Sequence, residues 1–172
     1  MKREVLLTVM LALVYTVSFN QEANAQPVSR VGDLTFGAGL SRGNSVGHLE
    51  NIEYGINLHV YYGILEDVNA GVDYTYYLIG ENDLGASEIN VNGHYFFRNR
   101  ENLIIYGLGG LNFSSVQADS DVWGNVSSNN IGINAGVGLE YDFGNFAIYG
   151  EPKYTLGGWN QLMVTVGARL RL

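Results

Sequence analysis

The sequence predicts an all-β protein: a closed, antiparallel, eight-stranded barrel laid out as an up-and-down meander. Three observations carry that prediction. Apolar and polar residues alternate with a period of two along most of the chain. Turn-forming residues interrupt the alternation at short intervals. No stretch beyond the N-terminus has a helical repeat. At 172 residues the chain has room for one domain.

The clearest strand runs from Glu50 to Ile64, with Ile52, Tyr54, Ile56, Leu58, Val60 and Tyr62 opposite Asn51, Glu53, Gly55, Asn57, His59 and Tyr61. From Val68, the residues Val72, Tyr74, Tyr76 and Leu78 oppose Asn69, Gly71, Asp73 and Thr75. From Glu88, the set Ile89, Val91, Tyr95 and Phe97 opposes Glu88, Asn90, Asn92 and His94. Ile131 to Phe143 alternates with Asn130 to Asp142, and Leu162 to Leu172 alternates with Met163, Thr165, Gly167, Arg169 and Arg171. Weaker strands are expected at Leu34–Ser41, Leu103–Ser114 and Phe146–Leu156. The second of these is apolar on both faces at its start, so Leu111 and Phe113 against Asn112 and Ser114 set its direction. Pro152 cannot donate to a ladder, which predicts a bulge or local irregularity.

The connections sort into two kinds. Leu65-Glu66-Asp67, Arg98–Asn102 and Gly144-Asn145 are short, whereas Arg42–Leu49, Gly80–Ala86 and Ser115–Ser128 are longer; Gly157–Gln161 is a short exception. This is the pattern of short periplasmic turns and longer extracellular loops, with both termini in the periplasm. Gly144-Asn145 suits a two-residue type II′ turn, which pairs Phe143 with Phe146 and Asp142 with Ala147.

The polar face shows which medium surrounds the barrel. It consists mainly of Asn, Gly, Thr, Glu and His, with Lys153 its only lysine. Charged residues are 15% of the chain, below the roughly 25–35% of a soluble surface. Small residues and amides suit the lumen of a narrow barrel, so the apolar face is expected to meet lipid. Tyr54, Tyr76, Phe113 and Tyr154 fall toward the extracellular rim, and Tyr62, Phe97, Tyr141, Phe143 and Phe146 toward the periplasmic rim. Two aromatic girdles around an aliphatic band mark a barrel crossing both interfaces of a bilayer. A soluble lipocalin-like carrier would share the alternation but would bury its apolar face.

Residues 1–25 read as a secretory signal peptide, leaving 26–172 as the barrel domain. Lys2 and Arg3 precede an apolar run from Val5 to Val17, and Ala23-Asn24-Ala25 is a small-x-small cleavage pattern. The apolar run is shorter than the roughly 20 residues of a spanning helix. Removal takes two bases and two acids, so the net charge stays at -8. That acidity excludes the basic footprint of a nucleic-acid binder. With 0 cysteines the chain has no disulfide framework and no thiolate metal site.

Gly107-Leu108-Gly109-Gly110-Leu111, Gly136-Val137-Gly138-Leu139-Glu140-Tyr141 and the alternating C-terminal strand resemble the small eight-stranded outer-membrane proteins related to the OmpX and OmpA barrel families. The resemblance spans the mature chain. It implies an integral protein of a Gram-negative outer membrane, contacting lipid and lipopolysaccharide. It also implies insertion by the barrel-assembly machinery, which reads the terminal alternation of Val164, Val166, Ala168, Leu170 and Leu172; the family pattern ends on an aromatic residue where this chain has Leu172. Such families include adhesins, defence-related surface proteins and envelope-stabilising proteins, so an extracellular surface ligand is expected, and fold alone selects none of these roles.

The inward residues able to carry chemistry include Glu53, His59, Asp73, His94, Glu140, Tyr149, Glu151, Lys153, Arg169 and Arg171. Counting registers from the turns puts Glu140, Tyr149 and Arg169 at a similar height and His59 near Asp73. The simplest reading is a structural lumen network, because buried charges need partners. A lipid-modifying enzyme is the alternative; it needs a base close to a nucleophile near the extracellular rim, and His48 near Ser45 is the nearest candidate pair. No His-x-Ser motif, EF-hand loop or phosphate-binding Gly-Lys-Ser/Thr loop is present. The expectation is a protein without enzymatic activity, metal or cofactor. Glu81, Asp83, Asp119 and Asp121 make the long loops acidic, and Trp123 and Trp159 read as interfacial anchors.

Overall fold

A computed structural model of the chain describes residues 31–44, 53–79, 84–100, 102–118, 126–157 and 159–172. The signal peptide, His48, Ser45, Trp123 and the loop acids named above lie outside these residues.

The strands are β1 (Leu34–Gly43), β2 (Glu53–Leu65), β3 (Val68–Leu78), β4 (Leu84–Arg100), β5 (Leu103–Ala118), β6 (Val126–Asp142), β7 (Phe146–Leu156) and β8 (Gln161–Arg171). Each pairs antiparallel with the next, and β1 pairs with β8 from Thr35↔Arg171 to Gly43↔Met163, closing the barrel. Leu172 N–H donates to Leu34 O at 2.9 Å, fastening the last residue to the first strand. Closure leaves no strand without a neighbour on either side, which hydrocarbon demands because it offers backbone groups no partner.

The outside is apolar. Ile56, Leu58, Val91, Ile133 and Val166 are all exposed, Leu58 to 55%, whereas inward Glu88 and Lys153 are each 1% exposed. Both aromatic girdles face outward. At the periplasmic rim Tyr95 meets Phe97, Tyr141 meets Phe143, and Phe143 stacks on Phe146 at 4.8 Å. That stack follows from the turn: Asp142 pairs with Ala147, and Phe143 N–H donates to Phe146 O at 2.9 Å. Gly144 has φ of 98° and Asn145 lacks a positive φ, as a type II′ turn requires.

The structure departs from the sequence expectations in several places. Of the bulge or local irregularity expected at Pro152, the bulge is absent and the irregularity is a gap in pairing. Pairing of β6 with β7 is interrupted between Gly136↔Lys153 and Leu139↔Gly150, then resumes in the same register. The proline ring points outward, and the β8 side keeps Pro152↔Val164. A register shift does occur where none was expected, between Phe96 and Arg98 beside the β4–β5 turn.

The second departure is strand length. β4 and β5 pair as far as Leu84↔Ala118, and β5 and β6 as far as Ala118↔Val126. Their outer neighbours stop earlier, at Tyr77↔Ala86 for β3 and Leu156↔Ile133 for β7. Residues assigned to loops from sequence therefore form a three-stranded sheet rising beyond the rim. The apolar alternation fades there because both faces see water: Ser127, Ser128 and Asn129 are consecutive and all exposed. The third departure is that the lumen is not uniformly polar. Tyr61, Tyr77, Phe96, Ile104, Tyr106, Leu108 and Met163 point inward and are buried.

If the exterior meets hydrocarbon, Leu58→Lys should destabilise the barrel by about 2–4 kcal/mol, the cost of a cation near the bilayer midplane. Urea unfolding in lipid vesicles measures this, and an unchanged midpoint would place Leu58 outside the hydrocarbon.

Candidate functional site: the lumen

Large inward side chains fit because their direct cross-strand partners are glycines. His59 pairs with Gly37, Tyr61 with Gly71, Asn92 with Gly110 and Tyr106 with Gly138. A Cβ at any of these glycines would overlap the partner's side chain. An eight-stranded lumen has little width to share, so each bulky group lies across the strand where a side chain is missing.

The polar interior forms two linked layers. Asp73 on β3 is the hub of the upper one. Its carboxylate accepts from Asn90 Nδ2 at 2.7 Å and Asn92 Nδ2 at 2.6 Å, with Asn57 Nδ2 and Tyr61 Oη farther off at 3.3 and 3.4 Å. Lys153 Nζ lies 3.6 Å from both Asp73 Oδ1 and Glu88 Oε1. Amides extend the layer around the wall: Asn112 and Asn134 each donate to Asn90 Oδ1 at 2.7 Å, and Thr155 Oγ1 donates to Asn134 Oδ1 at 2.8 Å.

Arg169 on β8 organises the lower layer. Its Nη1 donates to Glu140 Oε2 at 2.9 Å, its Nη2 to Glu151 Oε2 at 3.0 Å, and its Nε to His59 Nε2 at 3.1 Å. Because His59 Nε2 accepts, the ring carries its proton on Nδ1, which donates to Asn57 Oδ1 at 2.9 Å and joins the two layers. The guanidinium lies 4.0 Å from the Tyr149 ring centroid. Tyr106 Oη also donates to Glu151 Oε2, at 2.7 Å. His94 is held between Tyr61 and Tyr106, with ring centroids 4.1 and 4.7 Å away, and its Nε2 is 3.8 Å from Glu151. At the periplasmic mouth Arg171 bonds both Glu140 and Asp142.

Nine of the ten sequence-selected residues thus fall into connected layers. Glu53 stands half-buried at the extracellular mouth and bonds none of the other nine. The registers agree with expectation, and the side-chain contacts add detail that register does not give. Glu140 faces Tyr149 directly, but Arg169 pairs with Ala147, so its side chain must climb toward Tyr149. His59 faces Asp73 in register, yet bonds Asn57 and Arg169. Sequence reasoning placed the asparagines on this face without giving them a role. It also left out Tyr106, because the start of β5 is apolar on both sides.

Apolar clusters also pack inside the lumen toward both ends. Tyr77, Ala86, Trp159 and Met163 cluster toward the extracellular end, with Tyr77 Oη and Gln161 bonded at 3.0 Å; Trp159, expected to anchor at the lipid interface, is instead buried here. Phe96, Ile104, Tyr106 and Leu108 cluster at the periplasmic end. A cavity there, lined in part by Thr35, Tyr61, His94 and Arg169, measures about 10 Å³, roughly one water. The layers can fix strands against one another; the space left suits no substrate. Among the described residues no group of three or more His, Cys, Asp or Glu could hold a metal ion.

A closed barrel with an aliphatic exterior, aromatic girdles and a charged interior is a transmembrane β-barrel of the outer-membrane class. No family model matches this sequence, and neither does any curated protein sequence. Among solved structures the chain is similar to Ail, the attachment invasion locus protein of Yersinia pestis, at 20% identity and a TM-score of 0.62, covering 83% of this chain and 99% of that one. It is similar to Neisserial surface protein A at 16% identity and a TM-score of 0.66, covering 81% and 96%. The N-terminal β-barrel domain of Pseudomonas aeruginosa OprF gives 19% identity and a TM-score of 0.65, covering 83% and 98%. At such identities the likeness concerns the fold.

Two outcomes follow from the lumen. Arg169→Ala removes an ion-pair partner from both Glu140 and Glu151, leaving Glu140 to Arg171 and Glu151 to the Tyr106 hydroxyl, so stability should fall by about 3–5 kcal/mol in urea titrations. Adding Glu151→Gln to it should restore part of the loss, whereas wild-type stability in the single variant would contradict the network. Planar-bilayer recordings should show no discrete conductance steps, because side chains and their ion pairs fill the narrow lumen.

Proposed function

We propose that this chain is a non-enzymatic outer-membrane protein that uses its raised β4–β6 sheet as a surface-interaction element. On this reading, residues 1–25 direct export and are removed, and the lumen network only holds the barrel's shape. The carrying observation is the free side of β6. From Val126 to Gly132 it pairs with β5, while no strand among the described residues pairs with its other side.

A strand edge of that kind offers backbone donors and acceptors to an extended peptide. Ser127, Ser128 and Asn129 around it are small or polar and add few steric demands. The likeness to Ail, an attachment invasion locus protein, is in keeping with an interaction role. Ail has also been solved with the heparin analogue sucrose octasulfate. The net charge of -8 here, with acids in the long loops, favours an extended protein segment over a sulfated sugar.

The lipid-modifying alternative fits less well. His59 and His94 are buried in the lumen, away from the extracellular rim where a lipid-directed base would have to act. Lipid mass spectra identical with and without expression would agree with this reading. Against an array of extended peptides, cells displaying the protein should bind above vector-only cells. Proline placed separately at Ser128 and Asn129 should cut that binding about tenfold in at least one case, by removing an edge donor. Binding no higher than that of vector-only cells would overturn the proposal.

A further inference from the structure

Arg42 interrupts the apolar exterior. It is the penultimate residue of β1, faces outward and is exposed. Its cross-strand partners are Tyr54 on β2, itself 60% exposed in the extracellular girdle, and Val164 on β8. The guanidinium therefore sits at headgroup level; deeper on a lipid-facing wall a cation is strongly disfavoured. No other basic side chain among the described residues faces outward at this end. Lys153 and Arg169 are enclosed in the lumen, and Arg171 lies at the periplasmic mouth.

Beside Arg42 the exterior is hollowed. A groove of about 480 Å³ runs along the β1–β8 seam, with Arg42 midway along it. Asn44 and Leu162 lie on its extracellular side, and Leu40 and Val166 continue it toward the membrane interior. One cation with an apolar channel running below it matches an amphiphile with an anionic headgroup and an acyl chain. Guanidinium binds phosphate oxygens through paired N–H donors, and does so best where water is scarce.

We infer that the β1–β8 seam is a binding site for a phosphorylated glycolipid of the outer leaflet, with Arg42 on a lipid A phosphate and one acyl chain in the groove. The inference rests on the outer-membrane placement and is independent of the β6 edge. Its site is on the opposite flank from the raised sheet, so a ligand on one leaves the other accessible.

Native mass spectrometry of the purified full-chain barrel tests it, with bis-phosphorylated lipid A, dephosphorylated lipid A and phosphatidylglycerol as separate probes. The wild type should retain phosphorylated lipid A over both others. Arg42→Gln should lose about tenfold of that retention, the worth of a charged hydrogen bond, and Arg42→Lys should keep part of it. Val166→Trp, which fills the groove from outside, should weaken the same complex with Arg42 intact, and serves alone if Arg42→Gln does not fold. Equal retention by Arg42→Gln, or equal binding of dephosphorylated lipid A, would overturn the phosphate contact. Equal binding of phosphatidylglycerol would overturn the choice of lipid A. Proline at Ser128 should leave all three affinities unchanged, and a change there would overturn the independence of the two surfaces.

Discussion

Hydrocarbon offers no hydrogen bonds, and that single fact organises this molecule. The chain must pair its last strand with its first, so the wall closes at β1 and β8. Aliphatic side chains then take the outside, leaving polar ones an enclosure barely wider than themselves. Inside that enclosure charge is affordable only where opposite charge or amide groups meet it. Asp73 and Arg169 each answer the requirement with several partners at once.

The glycines resolve the remaining problem of room. Strand formation normally disfavours glycine, yet Gly37, Gly71, Gly110 and Gly138 stand directly opposite His59, Tyr61, Asn92 and Tyr106. Backbone exposed by one strand is covered by the ring or amide of its neighbour. The interior is thereby packed as pairs of unequal size, and the unequal pairing also resists strand slippage, since a shift would set bulk against bulk.

Much of this was legible in the residues themselves. Alternation located the eight strands, and the Gly144-Asn145 turn set the β6–β7 register that the backbone adopts. The lumen faces were readable for the same reason. What periodicity could not supply was depth and direction. Ser127 and Ser128 read as loop because a strand wetted on both sides has no apolar face to announce it. Ile104 and Tyr106 gave no direction because they join an apolar cluster inside the lumen, so both sides of β5 are greasy there. Which nitrogen of Arg169 meets which carboxylate depends on side-chain reach across three strands, and spacing within one strand does not encode it. Pro152 announced an irregularity but not its form: rungs are missing beside it without displacement of the ladder.

That gap has a consequence for how the wall moves. Between Gly136↔Lys153 and Leu139↔Gly150 two rungs are absent at mid-height, although Tyr106 and Glu151 bridge the same stretch from inside. The staves β6 and β7 are thus laced at top and bottom, while at the middle a phenol from β5 reaches over β6 to a carboxylate on β7. Breathing of the cylinder is concentrated at that slit, and solvent deuterium would reach the amides flanking it sooner than those of any equally deep rung.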